Sequence, residues 1–67
     1  MKSVLEILME RDGMSREDAM DLIKEVAVDV NHYLGLNEPI KAENCFMEAF
    51  GLEPDYMEDF IWSYIYP

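Results

Sequence analysis

Glu25, Asp29 and His32 stand at steps of four and three, the spacing that lines up metal ligands on one side of a helix. Carboxylate-bridged metal centres in helix bundles collect more carboxylates and a second histidine, whereas His32 is the only histidine of this chain. A second copy would have to supply the other half. The plainer reading places His32 in solvent near a helix C-terminus, where it complements the dipole. Cys45, the only cysteine, pairs on paper with His32 as nucleophile and base. It falls instead in an apolar helical stripe, where a buried structural thiol is the default. There is no glycine-rich phosphate loop, and "ERDGMSREDAMD" lacks the alternating acids of a calcium-binding EF-hand. The reading is a protein that is not an enzyme, with no catalytic residue, metal or cofactor assigned.

The remaining chemistry is charge. Fifteen acids stand against five bases in 67 residues, a formal net charge of −10 with a pI near 4.1. Such a surface repels nucleic acid and anionic lipid within a Debye length of about 8 Å at physiological salt. Neither direct nucleic-acid binding nor membrane binding is expected. The same field steers the chain toward a basic partner; a competing reading is that the acids serve only solubility.

The acids are patterned. Glu17, Asp21, Glu25 and Asp29 recur at every fourth position, with Asp18 beside them. Steps of four on a helix turn by about 40° and advance about 6 Å, so these carboxylates draw a slanting ribbon. Like charges at that spacing destabilise a helix by about 0.2–0.5 kcal/mol per pair. Three such pairs cost roughly 1 kcal/mol, which Arg16 and Lys24 offset only in part. After Lys41 there is no base at all, and the closing segment "GLEPDYMEDFIWSYIYP" sets Glu53, Asp55, Glu58 and Asp59 beside Tyr56, Phe60, Trp62, Tyr64 and Tyr66.

Helices must position these groups. Gly13, Gly35 and Gly51 are the only glycines, each followed by a large apolar residue, as when a left-handed glycine ends a helix and the next side chain folds back over it. Ser3 with Glu6, and Ser15 with Asp18, have the spacing of helix-start capping pairs. The first helix is predicted over Val4–Asp12, with Val4, Leu5, Ile7 and Leu8 on its apolar side. The second spans Arg16–Leu34, with Ala19, Leu22, Ile23, Val26, Val30, Tyr33 and Leu34 on one face. The third runs from Pro39 to Phe50, burying Ala42, Cys45, Phe46, Ala49 and Phe50. The last begins with Pro54 at its first position and Asp55 just inside, and turns Tyr56, Met57, Phe60, Ile61, Tyr64 and Ile65 inward. Trp62 and Tyr66 fall outside that arc. Either the terminus wraps round and buries them, or they form an exposed aromatic patch framed by Asp55, Glu58 and Asp59.

The fold class is therefore all-α, a bundle of about four helices in one domain over residues 1–67. At 51% hydrophobic residues the chain is too apolar for a disordered tail. A chain this short buries only about 60% of its unfolded surface, so its apolar residues must share one core. One cysteine allows no internal disulfide, and no stretch reaches the ~20 apolar residues of a membrane span. The start, "MKSVLEILMERDG", is too short and too charged for a signal-peptide core. A cytoplasmic protein is expected. The segment "CFMEAFGLEPDYMEDFIWSYI" also has a helix-turn-helix outline, but its second helix lacks any Lys or Arg to meet phosphates.

The runs "MSREDAMDLIKEV" and "FMEAFGLEPDYMEDFI" resemble a set of small acidic proteins of Gram-positive bacteria and their phages. The resemblance covers residues 14–25 and 46–61 and transfers no site residue. It implies a mobile-element setting, in which small acidic chains antagonise nucleic-acid-binding enzymes. The function expected is a protein-interaction module that binds a basic surface, in its sharpest form a nucleic-acid mimic of the anti-CRISPR kind. Its contacts would be Glu17, Asp18, Asp21, Glu25, Asp29, Glu53, Asp55, Glu58 and Asp59, with the aromatics Trp62, Tyr64 and Tyr66. The alternative is a homo-oligomeric accessory protein that joins copies through those aromatics.

Overall fold

The computed structural model describes residues 2–66 and consists of four helices: α1 (Val4–Arg11), α2 (Arg16–Gly35), α3 (Pro39–Phe50) and α4 (Asp55–Tyr64). The chain is all-α, as its periodicity requires. Both serine start signals operate. The Glu6 N–H donates to Ser3 Oγ at 3.2 Å, and the Asp18 N–H donates to Ser15 Oγ at 3.1 Å, each satisfying an amide that the first turn leaves without a partner. At about 1.5 Å per residue, the 20 residues of α2 span about 30 Å and set the long axis of a 33 × 20 × 19 Å molecule. The other three helices all pack against α2.

The inward residues of α2 are Ala19, Ile23, Val26 and Val30. They meet Val4 and Leu8 of α1, Ala42, Phe46 and Phe50 of α3, and Met57 and Phe60 of α4 in one cluster. Phe46, Phe50 and Phe60 form its aromatic centre, with ring centroids 5.1–5.5 Å apart and planes inclined by 57–70°. Edge-to-face pairs of this kind add about 0.5–1.5 kcal/mol each beyond the area they bury. Among the described residues no polar or charged side chain is buried.

Several boundaries differ from the sequence reading. Gly13 and Gly51 are left-handed, at φ of 66° and 64°, and end α1 and α3 as expected. Gly35 is not: it lies inside α2, and the left-handed residue is Asn37, with φ of 59°. The Asn37 N–H donates to the Leu34 carbonyl at 3.1 Å and the Glu38 N–H to the Tyr33 carbonyl at 2.9 Å, the paired closure of a Schellman motif. Asparagine is the residue besides glycine that tolerates this conformation, and Pro39 starts the next helix two residues later. Leu36 consequently stays exposed instead of folding back. Pro54 precedes α4 as its cap and is not its first helical residue. Ala49 is exposed and Cys45 packs only half-buried at the edge of the core, while Ala42, Phe46 and Phe50 supply the buried line of α3.

A tertiary contact completes the C-terminus of α3. Arg11, at the end of α1, donates through Nη2 to the Phe50 carbonyl at 2.6 Å and through Nη1 to the Gly51 carbonyl at 3.4 Å. Its guanidinium is fixed from the other side by Asp12, at 2.8 and 3.0 Å. That neighbour raises the Arg11 pKa and lowers that of Asp12 from their ordinary values. One cation thus serves both its neighbouring acid and the carbonyls that a helix end leaves unpaired.

The left-handed positions yield a test. Gly13→Ala meets no neighbouring atom, so its cost is the backbone term alone, about 1–2 kcal/mol. Gly35→Ala, in right-handed helix and equally open space, is expected to stabilise by up to about 1 kcal/mol. Urea unfolding of the two variants followed by circular dichroism checks the opposite signs.

Candidate functional site

The acid ribbon lies where helical geometry places it, on the side of α2 away from Ala19, Ile23, Val26 and Val30. Glu17, Asp18, Asp21, Glu25 and Asp29 are all exposed. The described ion pairs join Lys2 to Glu10, Arg11 to Asp12 and Lys41 to Glu38. Among the described residues, therefore, no ribbon carboxylate has a cation within 4 Å. From residue 17 to residue 29 the helix advances about 18 Å. Five carboxylates over that length stand on average about 4.5 Å apart along the axis, a sparser line than the 3.4 Å of rise per phosphate along one strand of B-form DNA. Val28, 68% exposed, breaks this face with an apolar spot.

The second group lies on α4. Met57 and Phe60 are buried, and Tyr56, Ile61, Tyr64 and Ile65 pack half-buried against the core. The opposite side of the helix carries Asp55, Glu58, Asp59 and Trp62, and Tyr66 lies just past the helix end, all exposed. Of the two arrangements open to the terminal aromatics, the chain adopts the outward one. Trp62 is 63% and Tyr66 54% exposed, with ring centroids 6.3 Å apart and planes inclined by 59°. Asp55, Glu58, Asp59 and Trp62 line one shallow cleft. Glu53 is exposed in the connection that precedes α4.

Tyr64 lies on the inward face, where the periodicity of the last helix placed it, and not with Trp62 and Tyr66 among the displayed aromatics. It turns inward, 5.4 Å from Phe60 between centroids. Burial raises the pKa of its phenol, Asp59 adds to the rise, and Arg16 opposes it. The helical period explains this position, since Phe60 and Tyr64 are one turn apart on the inward face whereas Trp62 is half a turn away.

The metal and nucleophile readings meet plain geometry. Among the described residues, no three His, Cys, Asp or Glu side chains gather closely enough to hold a metal ion. His32 is exposed, its ring 5.7 Å from that of Tyr33. Cys45 lines a surface hollow with Tyr33, Lys41, Asn44, Glu48 and Ala49. Burial raises its thiol pKa, and the charges of Asp29 and Glu48 raise it further, the opposite of what an activated thiolate requires.

Sequence reasoning did not single out the exposed apolar side chains Val28, Ile40 and Met47. For Val28 and Ile40 a signal was present, since neither fits the inward stripe of its helix. Among the described residues, no helix is long and apolar enough to cross a membrane. Compared with known proteins, the chain matches no family model, no curated protein and no solved structure.

The ribbon has a measurable consequence for stability. Asp21→Asn, Glu25→Gln and Asp29→Asn together remove all three repulsive i,i+4 pairs, and the triple variant is expected to be more stable by roughly 1 kcal/mol. The gain should shrink in 1 M salt, where the Debye length falls to about 3 Å. Thermal melts of both proteins at low and high salt read it directly.

Proposed function

We propose that this protein is a non-enzymatic acidic interaction module whose α2 ribbon occupies a basic protein surface that otherwise holds nucleic acid. The observation that carries the reading is the ribbon itself: five exposed carboxylates in a line on one regular helix, none with a cation within 4 Å among the described residues, which present a row of negative charge as a nucleic-acid strand does. A helix holds its charges in fixed register, so their order costs little on binding. The repulsion within the ribbon is relieved when a partner's Lys or Arg approaches, which turns a cost of the free state into part of the binding energy. The raised pKa of Cys45 and the exposed setting of His32 support a role without nucleophilic chemistry. The resemblance to acidic proteins of Gram-positive bacteria and phages supplies a setting, antagonism of a CRISPR effector, nuclease or repressor in the cytoplasm.

The test is capture from nuclease-treated bacterial lysate on immobilised protein at low, then moderate salt, with bound proteins identified by mass spectrometry. The expected catch is a nucleic-acid-binding protein that elutes with salt and is displaced by added DNA or RNA. It should be lost on the Asp21→Asn, Glu25→Gln, Asp29→Asn variant. Binding that persists in 1 M salt and ignores added nucleic acid would sink mimicry.

A second reading, self-association, draws on the exposure of Trp62 and Tyr66, because small chains often complete their core across an interface. It predicts a sedimentation mass that rises with protein concentration and returns to monomer in Trp62→Ala. A constant monomer mass from micromolar to millimolar concentration counts against it.

A further inference from the structure

We infer that the outward face of α4 is an arginine-binding site, in which a partner's guanidinium stacks on Trp62 beside Tyr66 while Asp55, Glu58 and Asp59 accept its N–H donors. The inference rests on the reading above that the partner is basic, and it names the side chain that the partner presents and where it lands. Asp55 and Asp59 lie one turn apart and Glu58 lies one turn before Trp62, and Tyr66, just past the end of α4, brings its ring within 6.3 Å of that of Trp62. The three acids and the indole wall one cleft. The two rings meet at 59° and Trp62 remains 63% exposed, which leaves indole surface open to a flat group.

Charge complementarity selects the occupant. There is no Lys or Arg after residue 41, so α4 carries no cation of its own. Among the described residues none of the three acids has a cation within 4 Å. A second copy of the chain would bring the same acids and a further net charge of −10 to the face, and an anionic lipid surface would be repelled likewise. Between the two cationic side chains, arginine is the better match. Its guanidinium is planar and weakly hydrated, stacks on aromatic faces, and presents a fork of donors to carboxylates. A lysine ammonium meets the same charge without the stacking geometry. At an exposed indole the difference is expected to be about two- to fivefold in affinity.

Trp62 is the only tryptophan, so its fluorescence and its indole N–H resonance report on this face alone. The probes are acetylated tetra-arginine and tetra-lysine amides at low ionic strength, followed by indole fluorescence and by amide chemical shifts. Tetra-arginine should saturably perturb Trp62 and bind about two- to fivefold more tightly there than tetra-lysine. Trp62→Leu and Tyr66→Leu should each reduce the preference. Both positions are exposed, and unchanged circular dichroism would show that the fold is retained. Asp55→Asn with Glu58→Gln and Asp59→Asn should weaken both peptides at Trp62. Equal binding of the two peptides, or shifts confined to α2 around Asp21, Glu25 and Asp29, would overturn the arginine site and leave the ribbon reading standing. Arginine-selective perturbation of Trp62 alongside a ribbon variant that captures as well as wild type would do the reverse.

Discussion

The edge-to-face cluster of Phe46, Phe50 and Phe60 fastens the C-terminal helix to the rest of the molecule, and what α4 displays depends on it. Two of the rings come from α3 and one from α4, and the inward residues of α2 lie alongside them in the same core. With Phe60 turned inward, the helical period fixes every other residue of α4. Tyr64 follows Phe60 into the core, and Trp62 is carried outward beside Asp55, Glu58 and Asp59, with Tyr66 against it just past the helix end. The aromatic pair is exposed because the core is filled by other rings.

A wholly apolar core in so short a chain leaves every charged group on the surface, and there the acids outnumber the bases three to one. Stability and charge therefore oppose each other. Small domains have only about 0.05–0.15 kcal/mol per residue of net stability, against which a ribbon penalty of roughly 1 kcal/mol is appreciable. The bases that do form ion pairs stand at the ends of helices: Lys2 before α1, Arg11 at its close and Lys41 in the first turn of α3. Arg11 is the most structural of them, since it joins the ends of two helices nearly forty residues apart. The middle of α2, where the ribbon runs, receives no such contact among the described residues.

This distribution makes two surfaces of different character. The α2 face is a line of charge with an apolar spot at Val28, suited to long-range attraction and weak in geometric demands. The α4 face is smaller and combines charge with an oriented pair of rings, suited to short-range selection. A basic partner that met both would be drawn by the first and discriminated by the second.

The sequence by itself determined the four helices, the serine caps of α1 and α2, the left-handed stops at Gly13 and Gly51, and the alignment of Glu17, Asp21, Glu25 and Asp29. Each of these depends on residues within about four positions, the reach of a helical hydrogen bond. It could mark Trp62 and Tyr66 as lying off the inward arc, but not whether the terminus would bury them. The tertiary structure decided that outcome, and with it the exposure of Ala49 and the capping of α3 by Arg11. It also moved the left-handed stop after α2 from Gly35 to Asn37, where the chain must reverse so that α3 can lie along α2. Periodicity ranks the sides of a helix by apolarity, but only the neighbouring helices determine how wide a strip of that side they cover.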